Sequence, residues 1–258
     1  VYKNIYYVII GHFYSSAQLG QYTRADQFKN IFSSNLTNVI QRVSYPVLSS
    51  IQNDPKRLKD AYRRIIKTTM LITFTCMIGL AAIAKPLIIV LIGEKWLQAV
   101  YFLQIVCFAG MLYPLHAINL NILQVKGRSD LFLNLEIIKK IIAVGPIVVG
   151  VFCGIEYMLW GSVLTSFISF FLNSYYSADL INYPTWQQIK DILPALLVSG
   201  ITALAMWSLT LVDMPMCFLL LLQCLLGLIL STFIYERLQL EEYLEVKRII
   251  LSLLNRKK

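Results

Sequence analysis

The residues best suited to chemistry in this 258-residue chain are charged and polar groups set inside long apolar stretches. Arg42 stands alone between Lys29 and Asp54, with twelve uncharged residues before it and eleven after. Beside it, Gln27, Asn30, Ser34, Asn38, Gln41 and Tyr45 recur at spacings of three and four, which places them on one helical face. Two readings are open for this stripe. It makes interhelical hydrogen bonds, with Arg42 snorkelling or paired, or it lines a water-filled cavity. An Arg at mid-span costs about 2.5–3.5 kcal/mol on insertion scales, which argues against exposure to lipid. Further along, Glu136 precedes Lys139 by three residues and Lys140 by four. One lysine can pair with Glu136 as a helical salt bridge. The other remains as net positive charge, either snorkelling to the interface or facing a cavity. His116 and Asn119 share a face. They pack against neighbouring helices, or they form a cavity wall that hydrogen-bonds sugar or carries a proton.

Groups that would make or break bonds are not arranged for it. The sequence holds no Walker loop, GxSxG, HExxH or paired-carboxylate constellation. Its few mid-span charges suit translocation better than bond-making, so no enzymatic activity is expected. His12 and His116 are the only imidazoles. The five cysteines lie within or at the end of apolar runs without CxxC or Cys/His spacing, and read as small buried hydrophobes. Neither a metal site nor a cofactor is expected.

The elements that must position these residues are membrane helices. Six stretches run fifteen or more residues without a charge: 68–84, 96–125, 141–155, 157–178, 192–212 and 214–235. A helix crosses a hydrocarbon core of about 30 Å in roughly 20 residues. A seventh stretch, 4–23, is uncharged but more polar, and an eighth, 30–53, is broken at its middle by Arg42. The chain is 57% hydrophobic with mean hydropathy +0.64. Soluble domains average about 45–50% apolar and alternate apolar with polar faces. The fold class is therefore all-α, a polytopic helix bundle of about eight spans. They are predicted at 3–15 (A), 25–52 (B), 67–92 (C), 98–124 (D), 130–152 (E), 157–178 (F), 191–212 (G) and 215–235 (H). A basic amphipathic tail, 238–256, follows. Pro86 should bend or break span C near its end, and Pro114 should kink D. The sequon at Asn35 falls inside a span and is disregarded.

The net charge of +9 raises nucleic acid as a partner, but the basic residues sit in short connections and in the tail, where they orient a membrane protein. The B–C connection carries Lys56, Arg57, Lys59, Arg63, Arg64 and Lys67, and D–E carries Lys126 and Arg128. The tail carries Arg237, Lys247, Arg248, Arg256, Lys257 and Lys258. E–F and G–H have no Lys or Arg, C–D holds Lys95 with Lys85 nearby, and A–B holds Arg24 and Lys29. Under strict alternation the charge-rich connections fall on one side, the cytoplasmic one, together with the C-terminus. The other side has only short loops. Residues 54–65 read as a surface helix on the cytoplasmic leaflet, with Asp54 as cap, Pro55 at its first position, and lipid anchoring as its role.

Two segments, Leu19-Gly20-Gln21-Tyr22-Thr23-Arg24-Ala25 and Tyr45-Pro46-Val47-Leu48-Ser49-Ser50-Ile51-Gln52, resemble the second-half signature of Wzx-type polysaccharide flippases. Gly127-Arg128-Ser129-Asp130-Leu131-Phe132-Leu133, followed by Glu136-Ile137-Ile138-Lys139-Lys140, adds to the resemblance. It is strongest to the WzxC-like lipopolysaccharide and teichuronic-acid exporter branch of the MOP superfamily, and covers nearly the whole chain. Such transporters have two six-helix lobes, some with two further helices. The resemblance implies that residues 1–178 are the second lobe, 179–237 the extra pair and 238–258 a cytoplasmic tail. It implies a missing N-terminal lobe and location in a bacterial cytoplasmic membrane. The implied activity is alternating access that moves a polyprenyl-pyrophosphate-linked oligosaccharide through a cationic cavity, coupled to a proton or sodium ion, for lipopolysaccharide or exopolysaccharide biosynthesis. Membrane lipids are the other partners, and nucleic acid is not one. The cavity candidates are Asn38, Gln41, Arg42 and Tyr45 on B, His116 and Asn119 on D, and Glu136, Lys139 and Lys140 on E. A guanidinium pairs bidentately with pyrophosphate, and amides suit sugar hydroxyls. A MATE-like cation or drug exporter and a membrane-embedded glycan polymerase or ligase are the alternatives. The first would favour carboxylates in the cavity, and the second a sizeable loop or soluble domain.

Overall fold

A computed structural model describes residues 5–255, with the side chains of 249–251 and 253–255 left out of the description. Among the described residues every regular element is a helix. The helices are α1 (Ile5–Phe13), α2 (Ser16–Ser50), α3 (Pro55–Ala82), α4 (Ala84–Ile92), α5 (Leu97–Gly110), α6 (Tyr113–Val125), α7 (Ser129–Cys153), α8 (Ile155–Ile181), α9 (Thr185–Ser208), α10 (Met216–Arg237) and α11 (Glu241–Asn255). Short 3-10 turns occupy Glu94–Trp96 and Leu209–Leu211.

Local chemistry explains most boundaries. Asp54 caps α3 by accepting from the Arg57 amide at 3.0 Å, with Pro55 as the first residue. Pro86 lies in the first turn of α4, just past the break at Ile83. A proline there cannot donate to the carbonyl of Ala82, so the helix ends before it. Pro114 likewise stands at the start of α6, and span D is two helices joined at Met111–Leu112. Gly154 alone joins α7 to α8, with a φ of 120° that other residues rarely adopt. These two helices then pack closely. A Cβ at Gly161 would lie 2.7 Å from Pro146 Cβ, and one at Gly150 2.4 Å from Met158 Cβ. Small residues of this kind let membrane helices approach.

Two expectations are corrected at the N-terminal side. The Ser15 hydroxyl accepts from the Gln18 amide at 3.2 Å while the Gln18 side chain accepts from the Ser15 amide, a capping box that starts α2 at Ser16. Arg24 and Lys29 therefore lie within a helix and not in an A–B connection, which is reduced to Tyr14 and Ser15. The uncharged run 30–53 centres on Arg42, but the 35-residue helix centres on Ser33. Nor is 54–65 a separate surface helix: it forms the first turns of α3, which continues unbroken to Ala82. Residues 3 and 4 of span A and Arg256, Lys257 and Lys258 of the tail lie outside the described residues.

Five helical units are long and apolar enough to cross a membrane: Pro55–Ala82, Glu94–Val125, Ile155–Ile181, Thr185–Leu211 and Met216–Arg237. The chain is a multi-pass membrane helix bundle. Of the other expected spans, α2 and α7 have the length, at 35 and 25 residues, but α2 lacks the apolar composition and α7 carries Glu136, Lys139 and Lys140 in its middle. α3 is the hub of the packing, touching α2, α5, α6, α8, α9 and α11. Its buried stripe of Leu58, Tyr62, Ile66, Met70, Phe74 and Met77 follows the helical repeat. The α9–α10 pair attaches to this hub where Tyr235 meets Thr75 at 2.7 Å and Ser199 at 3.2 Å.

Candidate functional site

The sequence candidates converge on three helices. α6 packs against both α2 and α7. All of its residues are buried except Tyr113, His116, Leu120 and Gln124, which recur at three and four and form one open strip. The Ser33 hydroxyl donates to the Gly110 carbonyl at 2.9 Å, and the Asn121 amide donates to the Ser44 hydroxyl at 2.8 Å. α2 thus runs parallel to α5 and α6, and Arg42 lies level with Asn119, about one turn from His116. Lys139 on α7 lies within electrostatic reach of His116. Arg42 is eight residues from the end of α2, about 12 Å, and Lys139 is ten from the start of α7, about 15 Å, at 1.5 Å per residue.

The candidates differ in environment. Asn38, Gln41, Arg42 and Tyr45 are exposed and form no hydrogen bond or ion pair with the described residues. Glu136 forms an ion pair with Lys139, leaving Lys140 exposed and outside any ion pair among the described residues. His116 is half-buried, its Nε2 lying 3.2 Å from the Ser166 hydroxyl. Asn119 is fully buried. Its carbonyl oxygen accepts from the Tyr62 hydroxyl, and its amide donates to Gln188 Oε1 at 3.4 Å. The structure therefore places Asn119 in the packing between α3, α6 and α9, not on the open face beside His116.

The upper part of the α2 stripe is also engaged internally, around a buried ion pair that sequence reasoning missed. Lys29 Nζ lies 2.5 Å from Asp26 Oδ1, and both residues are 7% exposed. The Tyr7 hydroxyl donates to Asp26 Oδ2 at 2.5 Å, and the Asn30 amide donates to the same oxygen at 2.6 Å. The ammonium also sits 5.4 Å from the centroid of the Tyr113 ring. The carboxylate is saturated by three donors, and the cluster fastens α1, α2 and α6 together. Asp26 and Lys29 stand at i and i+3 inside predicted span B, the spacing of a helical salt bridge.

At the opposite end, Arg63, Arg64 and Lys67 in the first turns of α3 are paired with acids from α9 and α11. Arg63 forms a bidentate pair with Asp191 at 2.5 and 2.6 Å, and Asp191 also accepts from the Tyr183 hydroxyl at 2.6 Å. Arg64 pairs with Glu245, Lys67 with Glu242, and Lys247 with Glu236. The Glu236 carboxylate holds the Lys247 ammonium above its ordinary range. The first half of α11 is thus an acidic clip on α3.

Comparisons with known proteins agree with this architecture. Residues 1–101 match a family model described as polysaccharide biosynthesis protein. The teichuronic acid biosynthesis protein TuaB of Bacillus subtilis is 30% identical over 128 residues, 50% of this chain and 26% of that protein. The lipopolysaccharide biosynthesis protein WzxC of Escherichia coli is 23% identical over 147 residues, 57% of this chain and 30% of that protein. The succinoglycan biosynthesis transport protein ExoT of Rhizobium meliloti is 24% identical over 156 residues, 59% and 31% respectively. The chain thus spans less than a third of the length of these curated relatives. Among solved structures, the lipid II flippase MurJ in an inward closed conformation superposes with a TM-score of 0.67 at 20% identity, covering 86% of this chain and 48% of that one. By sequence, then, the chain is similar to Wzx-type polysaccharide transport proteins, and by fold it matches about half of a lipid II flippase.

Proposed function

We propose that this chain is the second lobe, with its two extra helices and tail, of a flippase that moves polyprenyl-pyrophosphate-linked oligosaccharide across a bacterial cytoplasmic membrane. The observation that carries this reading is the open strip of α6 with α2 and α7 packed against that helix: Asn38, Gln41, Arg42 and Tyr45 are exposed on α2 and Lys140 is exposed on α7, and among the described residues neither cation has a carboxylate partner. Fixed, unpaired cations suit a pyrophosphate, and the neighbouring amides and phenol suit sugar hydroxyls. Helices that line water need not be apolar, which accounts for the composition of α2 and α7.

In this reading the open face is one wall of a cationic cavity, and a preceding lobe supplies the other. The two rock between inward-open and outward-open states, and no covalent step is required. The ends of α2 and α10 and the start of α3 lie in the cytoplasm, as does the C-terminal helix. A proton or sodium ion drives the cycle. A cation exporter would be favoured by carboxylates on the open face. The one carboxylate there, Glu136, is already paired with Lys139.

The test is complementation of a flippase-null strain with the full native protein, measuring surface glycan and membrane abundance together. Arg42→Ala abolishes export at normal abundance, and Arg42→Lys, a point charge without the fork, restores part of it. Lys140→Gln reduces export more than Lys139→Gln, because Lys139 is neutralised by Glu136. Full surface glycan in Arg42→Ala removes the cationic wall from the mechanism.

A further inference from the structure

Arg24 and Arg42 are eighteen residues apart on α2. At 100° and 1.5 Å per residue that is five whole turns and about 27 Å, so both side chains leave the same face of the helix. Both are exposed, as are Ile31, Asn35 and Asn38 on the face between them. The separation is close to the hydrocarbon thickness of about 30 Å.

Around Arg24 the fold builds a platform. The 3-10 turn Glu94–Trp96 is fastened to α2 by Gln21, whose amide donates to the Lys95 carbonyl at 2.8 Å and whose Oε1 accepts from the Ala99 amide at 3.0 Å. The Trp96 indole lies against Gly20, where a Cβ would be 3.4 Å from the ring. Arg24 sits 5.2 Å and Lys95 5.7 Å from the centroid of that ring. Arg24 also donates to Gln27 Oε1 at 2.9 Å. Among the described residues neither cation, nor the neighbouring Glu94, belongs to an ion pair. Two uncompensated cations held on one indole are otherwise unexplained by packing. Arg and Lys donors suit phosphate oxygens, and an aromatic face with an amide beside it suits a sugar ring.

We propose that Arg24, Lys95 and Trp96, with Gln27, form a second station for a glycosyl-pyrophosphate head group, on the release side of the membrane and at the far end of the α2 face from Arg42. This rests on the flippase reading. A head group leaving Arg42 then meets a second cationic surface before it enters bulk solvent, and it moves along one helix face rather than off it.

The experiment uses the full native protein and two readouts. In the complementation strain the initial rate of surface glycan appearance is measured for Arg24→Gln, Trp96→Leu and Arg42→Ala at matched abundance. Arg24→Gln and Trp96→Leu each slow it about tenfold, the scale of one charge-assisted contact, and Arg24→Lys keeps most of the rate. In the second readout, Gln98→Cys on a background without native cysteines is labelled with an impermeant maleimide added outside right-side-out vesicles, with or without inorganic pyrophosphate. Pyrophosphate protects this cysteine when Arg24 is present and not in Arg24→Gln. Normal export in Arg24→Gln and Trp96→Leu, with none in Arg42→Ala, overturns the second station and leaves the flippase reading intact. Normal export in Arg42→Ala overturns the flippase reading itself. If Trp96→Leu does not accumulate, the labelling result decides alone, and equal labelling with and without pyrophosphate ends the proposal.

Discussion

Removing Lys29 alone strands a buried carboxylate that accepts from three donors. Asp26 and Lys29 are each 7% exposed, and in the native structure the charge of one is balanced by the other. In Lys29→Leu, Asp26 keeps two donors, the Tyr7 hydroxyl and the Asn30 amide. Breaking a buried pair costs about 3–5 kcal/mol, and the surviving donors set the loss at the lower end, about 3 kcal/mol or two decades in the folding equilibrium. Asp26→Leu strands the ammonium instead, with only the Tyr113 ring at 5.4 Å to receive it. A desolvated cation–π contact is worth about 2 kcal/mol, less than the lost ion pair, so this variant is hurt at least as much. The double change Asp26→Leu/Lys29→Leu removes both charges and recovers most of the loss, as apolar replacement of a buried pair commonly does. The assay is the temperature at which half the detergent-solubilised protein leaves the monodisperse peak in size-exclusion chromatography, read for both single variants and the double. If the single losses are small and simply add in the double variant, the pair is not coupled, and the buried cluster does not hold α1, α2 and α6 together.

Two further outcomes follow from geometry. Gly161→Val forces α7 and α8 apart, because even a Cβ would lie 2.7 Å from Pro146 Cβ, whereas Gly200→Ala, with nothing within 4 Å, leaves stability unchanged. Thermal stability of the two variants side by side checks this contrast. Cysteines at positions 60 and 255 are not labelled by an impermeant reagent outside intact cells, on a background without native cysteines, and labelling of either reverses the proposed orientation.

Much of the fold was legible because its signals are local. Asp54 with Pro55, Pro86 and Pro114 act through backbone donors and carbonyls a few residues away, and each marks a boundary. The Glu136 pairing was legible for the same reason, and the structure selects Lys139. What the sequence concealed depends on partners far along the chain. Asn119 looks like a cavity residue beside His116 until Tyr62 and Gln188 are seen to enclose it. Arg24 and Lys29 look like connection charges because they fall between the uncharged runs 4–23 and 30–53. The Ser15–Gln18 box, a stronger helix-start signal, sits upstream of both. The basic start of α3 looked lipid-bound because its acidic partners come from α9 and α11.

That last arrangement has a consequence for biogenesis. Arg64 and Glu245 are 181 residues apart. At a synthesis rate of about 5–20 residues per second, the acidic clip on α11 emerges roughly 10–35 s after the basic turn it neutralises. During that interval Arg64 and Lys67 are free positive charges at the head of a span, the form in which they hold a segment on the cytoplasmic side as it inserts. Once the last helix is made, the same charges are paired with carboxylates. In the proposed orientation, α3 carries a topology signal that is active while the chain is being threaded into the membrane and is silenced when the chain is complete.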